Sequence, residues 1–193
     1  MDQIAIKLIL IDQVINSVMG NCLVQDNAVA WEIRDAQQTD LPAIVEIYNA
    51  SVPGRMATAD LEPVAVESRL RWYEEHSPEY RPVWVIVAED KIIGWLSFQS
   101  FYGRPAYQKT AEISIYIHPA YHGQGIGKKL LNEAIQRSPS LGLKTLMAFI
   151  FAHNIPSIKL FEKFGFQQWG YLPRVAQLDD KEQDLTIFGR HLD

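Results

Sequence analysis

The sequence predicts an α/β (α+β) domain, a sheet flanked by helices, and three observations predict it. Short runs with period-two alternation recur from residue 31 to residue 188, separated by stretches of helical period. Two of these runs, 83–89 and 92–101, meet across Asp90-Lys91 as a hairpin. A glycine cluster directly follows one strand and directly precedes a helix.

Taken in order, Trp31-Glu-Ile-Arg34 alternates as a strand. Thr39 offers an N-cap to a helix marked by Leu41, Ile44, Val45 and Tyr48. Residues 49–63, with Pro53, Gly54 and Pro63, form a loop too long for a plain connector, which makes it a candidate substrate loop. Val66, Leu70 and Tyr73 mark a second amphipathic helix, ended by His76-Ser-Pro78. After the hairpin, residues 102–109 are a polar, aromatic loop and 110–117 another strand. A helix over 126–137 turns Leu130, Leu131, Ala134 and Ile135 to the core. The apolar run 145–151 predicts a buried strand, and Asn154-Ile-Pro156 opens a helix that stops at Gly165. Residues 168–172 and 185–188 supply two closing strands. The predicted order is β-α-α-β-β-β-α-β-α-β-β, without internal repeats.

Composition narrows the function classes. A chain of 193 residues fits one domain, and 48% hydrophobic with 21% charged residues is a globular balance. A net charge of −5 argues against non-specific nucleic-acid binding, which needs a basic face. The single cysteine, Cys22, has no partner for an internal disulfide and suits a reducing compartment. Residues 4–18 are apolar, but Asp2, Lys7 and Asp12 break the run, so neither a signal peptide nor a membrane span is expected. Ile4, Leu8, Ile11, Ile15 and Val18 follow helical spacing. Residues 1–30 are read as an N-terminal extension, with a docked helix as the alternative, and the domain as 31–193.

In His122-Gly-Gln-Gly-Ile-Gly127 the glycines alternate. Glycine permits positive φ and leaves no Cβ in a ligand's way. The free N–H groups of the first helical turn, with the helix dipole, then favour an anion, above all a phosphate. Lys128 and Lys129 add positive charge. A Walker loop would need Gly-Lys-Ser/Thr at its end, and a dinucleotide fingerprint a different spacing. Glycines used only for helix packing remain the competing reading. His118 and His122 lack a third metal ligand, and Pro119 and Gly123 disfavour a regular helix between them, so no metal is expected.

His118-Pro-Ala-Tyr-His-Gly-Gln-Gly-Ile-Gly-Lys-Lys-Leu-Leu131 resembles the acyl-CoA motif of the GNAT N-acetyltransferase superfamily, R/Q-x-x-G-x-G/A, with His122 in the Arg/Gln position. The stretches 48–58, 104–107, 110–117 and 154–166 resemble the phosphinothricin and methionine-sulfoximine acetyltransferases, and the likeness runs from about Trp31 to Leu192. The resemblance implies a mixed, mostly antiparallel twisted sheet, splayed at the cofactor site. It implies acetyl-CoA as co-substrate, held by Gly123, Gln124, Gly125, Ile126, Gly127 and Lys128 with His122 beside them. Backbone groups of Ile115, Tyr116 and Ile117 are to meet the pantetheine arm, and Asn154 and Ser157 to line its channel. Asn154 reads equally as a helix N-cap.

On strand 110–117, Glu112, Ser114 and Tyr116 oppose an isoleucine face. An attacking amine is mostly protonated at neutral pH and must surrender a proton, which a carboxylate accepts. From pattern alone, a solvated glutamate is the simpler reading of Glu112; the resemblance implies the general base. Many relatives place a leaving-group tyrosine near Phe161; here either the thiolate leaves unassisted, as a thiol's modest pKa permits, or another group serves, with Tyr116 and Tyr107 as the alternatives. An amino-acid carboxylate calls for arginine. Arg55, Arg104 and Arg174 lie in predicted loops; Arg104 and Tyr107 match the family's loop before the catalytic strand, and Arg55 stands in the candidate substrate loop. Each arginine alone reads as a surface ion pair. The C-terminal loop 177–183 lacks the tryptophan of some relatives. The resulting expectation is a cytoplasmic, homodimeric enzyme that acetylates the α-amine of a small amino acid or analogue in a ternary complex. No nucleic acid or membrane partner is expected. A peptide N-acetyltransferase and a non-catalytic acyl-CoA sensor are the rivals.

Overall fold

The computed structural model describes residues 31–192, and the extension expected at 1–30, with Cys22, lies outside the described residues. Seven strands run β1 (Trp31–Asp35), β2 (Val83–Ala88), β3 (Lys91–Ser100), β4 (Thr110–Ile117), β5 (Thr145–Phe151), β6 (Gln167–Leu178) and β7 (Lys181–His191). Four α-helices accompany them: α1 (Leu41–Ser51), α2 (Leu70–Glu74), α3 (Ile126–Arg137) and α4 (Ile155–Lys163). The sheet order is β1-β2-β3-β4-β5-β7-β6. Only β4 and β5 pair in parallel; every other neighbour is antiparallel. No helix among the described residues is long and apolar enough to cross a membrane.

Period-two alternation divides the core between the sheet's two faces. On one face Trp84, Ile86, Leu96, Phe98, Ala111, Ile113 and Leu146 bury against Ile126, Leu130, Leu131 and Ala134 of α3 and Phe161 of α4. On the other, Val83, Val85 and Trp95 pack under Ile44 and Ile47 of α1, with Trp72 and Tyr116 at the margin. Trp95 Nε1 donates to the Ile44 carbonyl at 3.0 Å, which fixes α1 over β3 while satisfying a buried donor.

Three local expectations change. Thr39 does not cap α1: it lies in a 3₁₀ turn, Gln38–Asp40, where Asp40 accepts from the Gln37 amide at 2.8 Å and pairs with Arg34 at 2.6 Å. Burial pushes the Asp40 carboxyl up, but the Arg34 guanidinium and the Gln37 amide outweigh it and hold Asp40 below the usual carboxylate range. The helix expected from Val66 is a 3₁₀ turn followed by a single α turn with no fully buried residue. The closing strands are far longer than their apolar cores, and β6 and β7 meet directly across Asp179-Asp180, so the expected loop 177–183 is a tight hairpin. Bulges at Gln168/Gly170 and Leu172/Ala176 absorb Trp169 and Pro173, which would otherwise break the ladder.

Candidate active site

The site begins where β4 leaves β5. The two strands pair only through Thr110↔Thr145, Ala111↔Leu146 and Glu112↔Met147, whereas β4 stays paired with β3 through Ile117. Beyond Glu112 the strands splay. The His118 amide donates to the Ile93 carbonyl, so even-numbered residues of β4 bond toward β3 and odd-numbered ones face the gap. Backbone groups of Ile115 and Ile117 therefore open into the splay. Tyr116, predicted with them, turns its backbone to β3. His122 folds back so that its Nε2–H meets the Ile117 carbonyl at 2.8 Å.

Just past β4 the chain forms the glycine turn. Gly123 and Gly125 adopt φ of 77° and 85°, and Gly125 is the N-cap of α3. A Cβ at either would meet nothing within 4 Å, so these glycines serve backbone conformation and open approach rather than packing. Gly127 differs: a Cβ there would stand 3.2 Å from Leu160 Cδ2, and its bareness lets α3 and α4 close together. Among the described residues, none of the N–H groups of residues 123–128 has a backbone acceptor; the first satisfied amide is Lys129, bonded to Gly125 O at 3.1 Å. Six free donors around a helix N-terminus are suited to cradle an anion. Lys128 is exposed beside it, and Lys129 lies 5.6 Å from the Trp31 ring centre.

Glu112 projects from the face opposite the isoleucines, between Gln99 on β3 and Met147 on β5. It is half-buried, and among the described residues it has neither an ion-pair partner nor a hydrogen bond. Burial alone pushes its carboxyl above the usual glutamate range. A desolvated, unpaired carboxylate is a base held ready for a proton. The sign of its linkage follows. With the folded-state pKa raised, the unfolded chain loses the proton first, so stability falls as pH rises through the window between the two values and stays lower above it. Glu112→Gln is therefore expected to raise Tm at neutral pH. Thermal melts across pH check this: the gain must vanish below the unfolded carboxylate's pKa.

Next to Glu112 on the same face lies a cavity of ≈ 150 Å³ walled by Tyr48, Trp72, Trp95 and Tyr116, with Arg69, Ser97, Gln99 and Ser114 supplying polar groups. Tyr116 stacks on Trp95 at 4.5 Å and donates to the Ala57 carbonyl at 3.0 Å; burial drives its pKa upward. Arg69 sits 4.6 Å from the Tyr48 ring centre and pairs with Asp60 at 3.0 Å. Neither Arg69 nor the Ser97/Gln99 pair was singled out by sequence. The polar alternation of Ser97 and Gln99 within an apolar strand was the available signal; Arg69 gave none.

The other predicted residues fall as follows. Arg104 is exposed with no ion pair among the described residues, on the β3–β4 loop that ends just before Glu112. Tyr107, on the same loop, joins Phe101 at 5.5 Å and Tyr102 at 5.7 Å in an exposed aromatic group. Arg55 is spoken for: its guanidinium forks onto Asp179 at 2.9 and 3.0 Å and donates to the Leu61 carbonyl at 2.8 Å. Arg174 stands 3.8 Å from Glu182. Asn154 accepts from the Ser157 amide at 3.2 Å as N-cap of α4 and donates to the Met56 carbonyl at 3.0 Å. Phe161 is 5% exposed and packs edge-on against Phe166. Among the described residues no three His, Cys, Asp or Glu side chains converge on a metal position.

The profile of the Acetyltransferase (GNAT) family matches residues 41–166. The chain belongs to this family. It is 53% identical over 163 residues to YwnH of Bacillus subtilis (strain 168), provisionally named a phosphinothricin acetyltransferase, covering 83% of this chain and 98% of that protein. It is 34% identical over 161 residues to the L-methionine sulfoximine/L-methionine sulfone acetyltransferase of Salmonella typhimurium, covering 83% and 94%. The structure of a GNAT phosphinothricin acetyltransferase from Sinorhizobium meliloti in complex with AcCoA superposes with a TM-score of 0.79 at 31% identity, covering 84% of this chain and 88% of that one. This GNAT chain is an acetyltransferase, and acetyl-CoA fits what it offers. The six free amides suit a pyrophosphate, and the open backbone of Ile115 with the Ile117 N–H suits an amide-bearing arm, the Ile117 carbonyl being taken by His122.

Proposed function

We propose that this GNAT acetyltransferase acetylates the α-amine of a small amino acid or analogue of the phosphinothricin or methionine-sulfone type, with Glu112 as general base in a ternary complex. The observation that carries the reading is Glu112 itself: a half-buried carboxylate without a partner among the described residues, at the residue where β4 parts from β5. Acetyl-CoA supplies an activated acetyl thioester. The residues 123–128 hold its pyrophosphate, and Ile115 and Ile117 align its arm along β4. A backbone N–H in the splay polarises the acetyl carbonyl as an oxyanion donor would. Glu112 takes the proton of the incoming ammonium, directly or through one water, and frees the nucleophile's lone pair. When the tetrahedral adduct collapses, the C–S bond breaks and the thiolate leaves without a protein donor, since Phe161 has no proton to give and the modest pKa of a thiol permits it. The second proton, shed by the new amide nitrogen, goes to the thiolate or to solvent. Arg104, without an ion pair among the described residues and positively charged on the adjacent loop, receives the acceptor's carboxylate.

The same reading includes a cytoplasmic homodimer. Edge strand β6 exposes Trp169, Tyr171, Leu172 and Val175, an apolar row of the kind a second copy covers. Thiol release from acetyl-CoA over a panel of amino acids, with methionine sulfone and phosphinothricin included, tests the function. Turnover is expected with small amino acids that carry a free α-amine and none with their N-acetylated forms. Turnover confined to peptides, or acetyl-CoA binding without turnover on any amine, overturns it.

A further inference from the structure

Arg81 is 2% exposed, yet no carboxylate pairs with it among the described residues. Burying a guanidinium without a counter-ion is costly, so what it touches matters. Its Nη1 donates to the Tyr80 carbonyl at 2.9 Å, and its Nη2 donates to the Gln108 carbonyl at 2.7 Å and the Thr110 carbonyl at 3.2 Å. Its Nε is buried without any partner. The guanidinium carbon lies 4.0 Å from the Tyr80 ring centre, and the Arg81 backbone is fixed by paired bonds with Ser77.

The position explains the arrangement. The β3–β4 ladder ends at Ser100↔Ala111. Thr110 is even-numbered, so its carbonyl points toward β3 where the ladder has stopped, and it needs another donor. Arg81 arrives from the start of β2 and supplies it. One flat fork holds carbonyls on both sides of Lys109, at the point where the exposed loop 101–109 becomes strand β4. Arg104 and Tyr107 lie on that loop, and Glu112 follows two residues after Thr110.

We propose that Arg81 is a positioning residue for acceptor binding: it clamps the returning end of the loop 101–109 and thereby sets Arg104 and Tyr107 against Glu112. This rests on the reading of that loop as the acceptor's. Acetyl-CoA, seated at the far end of β4, lies outside its reach. Arg81→Met is expected to raise the acceptor KM about 10-fold or more, within the roughly 100-fold that misplacement by an ångström from a remote change can cost. KM for acetyl-CoA and kcat stay near the wild-type values. Arg81→Lys keeps the stem and the charge but reaches one carbonyl, so it should lie between the two. It also decides the matter if Arg81→Met fails to fold. Equal rises in both KM values, or no change in acceptor KM for a folded Arg81→Lys, overturn the proposal.

Hydrogen exchange separates this from the functional reading. In Arg81→Lys, peptides over 101–112 must exchange faster while β2–β3 peptides hold their rates; uniform acceleration marks a general stability loss and overturns the clamp. If the wild-type chain turns over no amino acid, the proposed function fails, and exchange alone still decides on Arg81.

Discussion

Replacing Glu112 with glutamine is expected to lower kcat by about 10²–10⁴-fold, the usual contribution of a positioned general base. Acetyl-CoA affinity should hold, because the cradle and the β4 contacts offered to acetyl-CoA are built from backbone, which the substitution leaves in place. The amide is isosteric, so packing against Met147 and Gln99 is retained while the proton acceptor is lost. The pH profile gives the sharper check. The acid limb of kcat/KM should lie above the ordinary glutamate range in the wild type, since burial raises the carboxyl's pKa, and it should disappear in Glu112→Gln. A variant that keeps full turnover and an unchanged acid limb would remove Glu112 from the role. The expected gain in Tm for the same substitution makes the pair informative: a residue that destabilises the fold while supporting turnover has been kept for chemistry.

Where local pattern and tertiary structure agree, the sequence was easy to read. Strand 110–117 and helix 126–137 fall at their expected bounds because alternation defines the first, His118-Pro119 ends it in a 3₁₀ turn, and positive-φ Gly125 starts the helix. The β6–β7 hairpin was mostly hidden. Its outer strand is exposed along nearly its whole length, so no apolar face marks it, and Pro173 suggests a break that a bulge accommodates. The arginines show a second limit. Arg55, Arg69, Arg81 and Arg104 carry nothing in their neighbouring residues that announces their different fates. What separates them is a partner far along the chain: Asp179 for Arg55, Asp60 and the Tyr48 ring for Arg69, two carbonyls for Arg81. Arg104 is distinguished by having none among the described residues. Such pairings depend on how the sheet brings loops together, and periodicity carries no trace of them.

The glycine turn should fail in the opposite way from Glu112. Gly125→Val places a β-branched residue at φ 85°, where a non-glycine residue loses about 1–2 kcal/mol. Its added Cβ meets no protein atom within 4 Å, so the strain is relieved by rotating the backbone rather than by repacking the core. That rotation turns the amides of the cradle away from a common centre. Acetyl-CoA Kd is expected to rise about 10- to 100-fold, each tenfold step being about 1.4 kcal/mol, as calorimetric titration would measure. At saturating acetyl-CoA the turnover should recover most of its value, since β4 and Glu112 are untouched. Gly125→Asn, whose side chain tolerates the left-handed region, should lose much less affinity. Gly127→Val is the control with a different cause: it drives a methyl into Leu160, so it should lower Tm, whereas Gly125→Val should not lower it comparably. Equal affinity in Gly125→Val and the wild type would mean that the pyrophosphate is held elsewhere, and the six free amides would need another ligand.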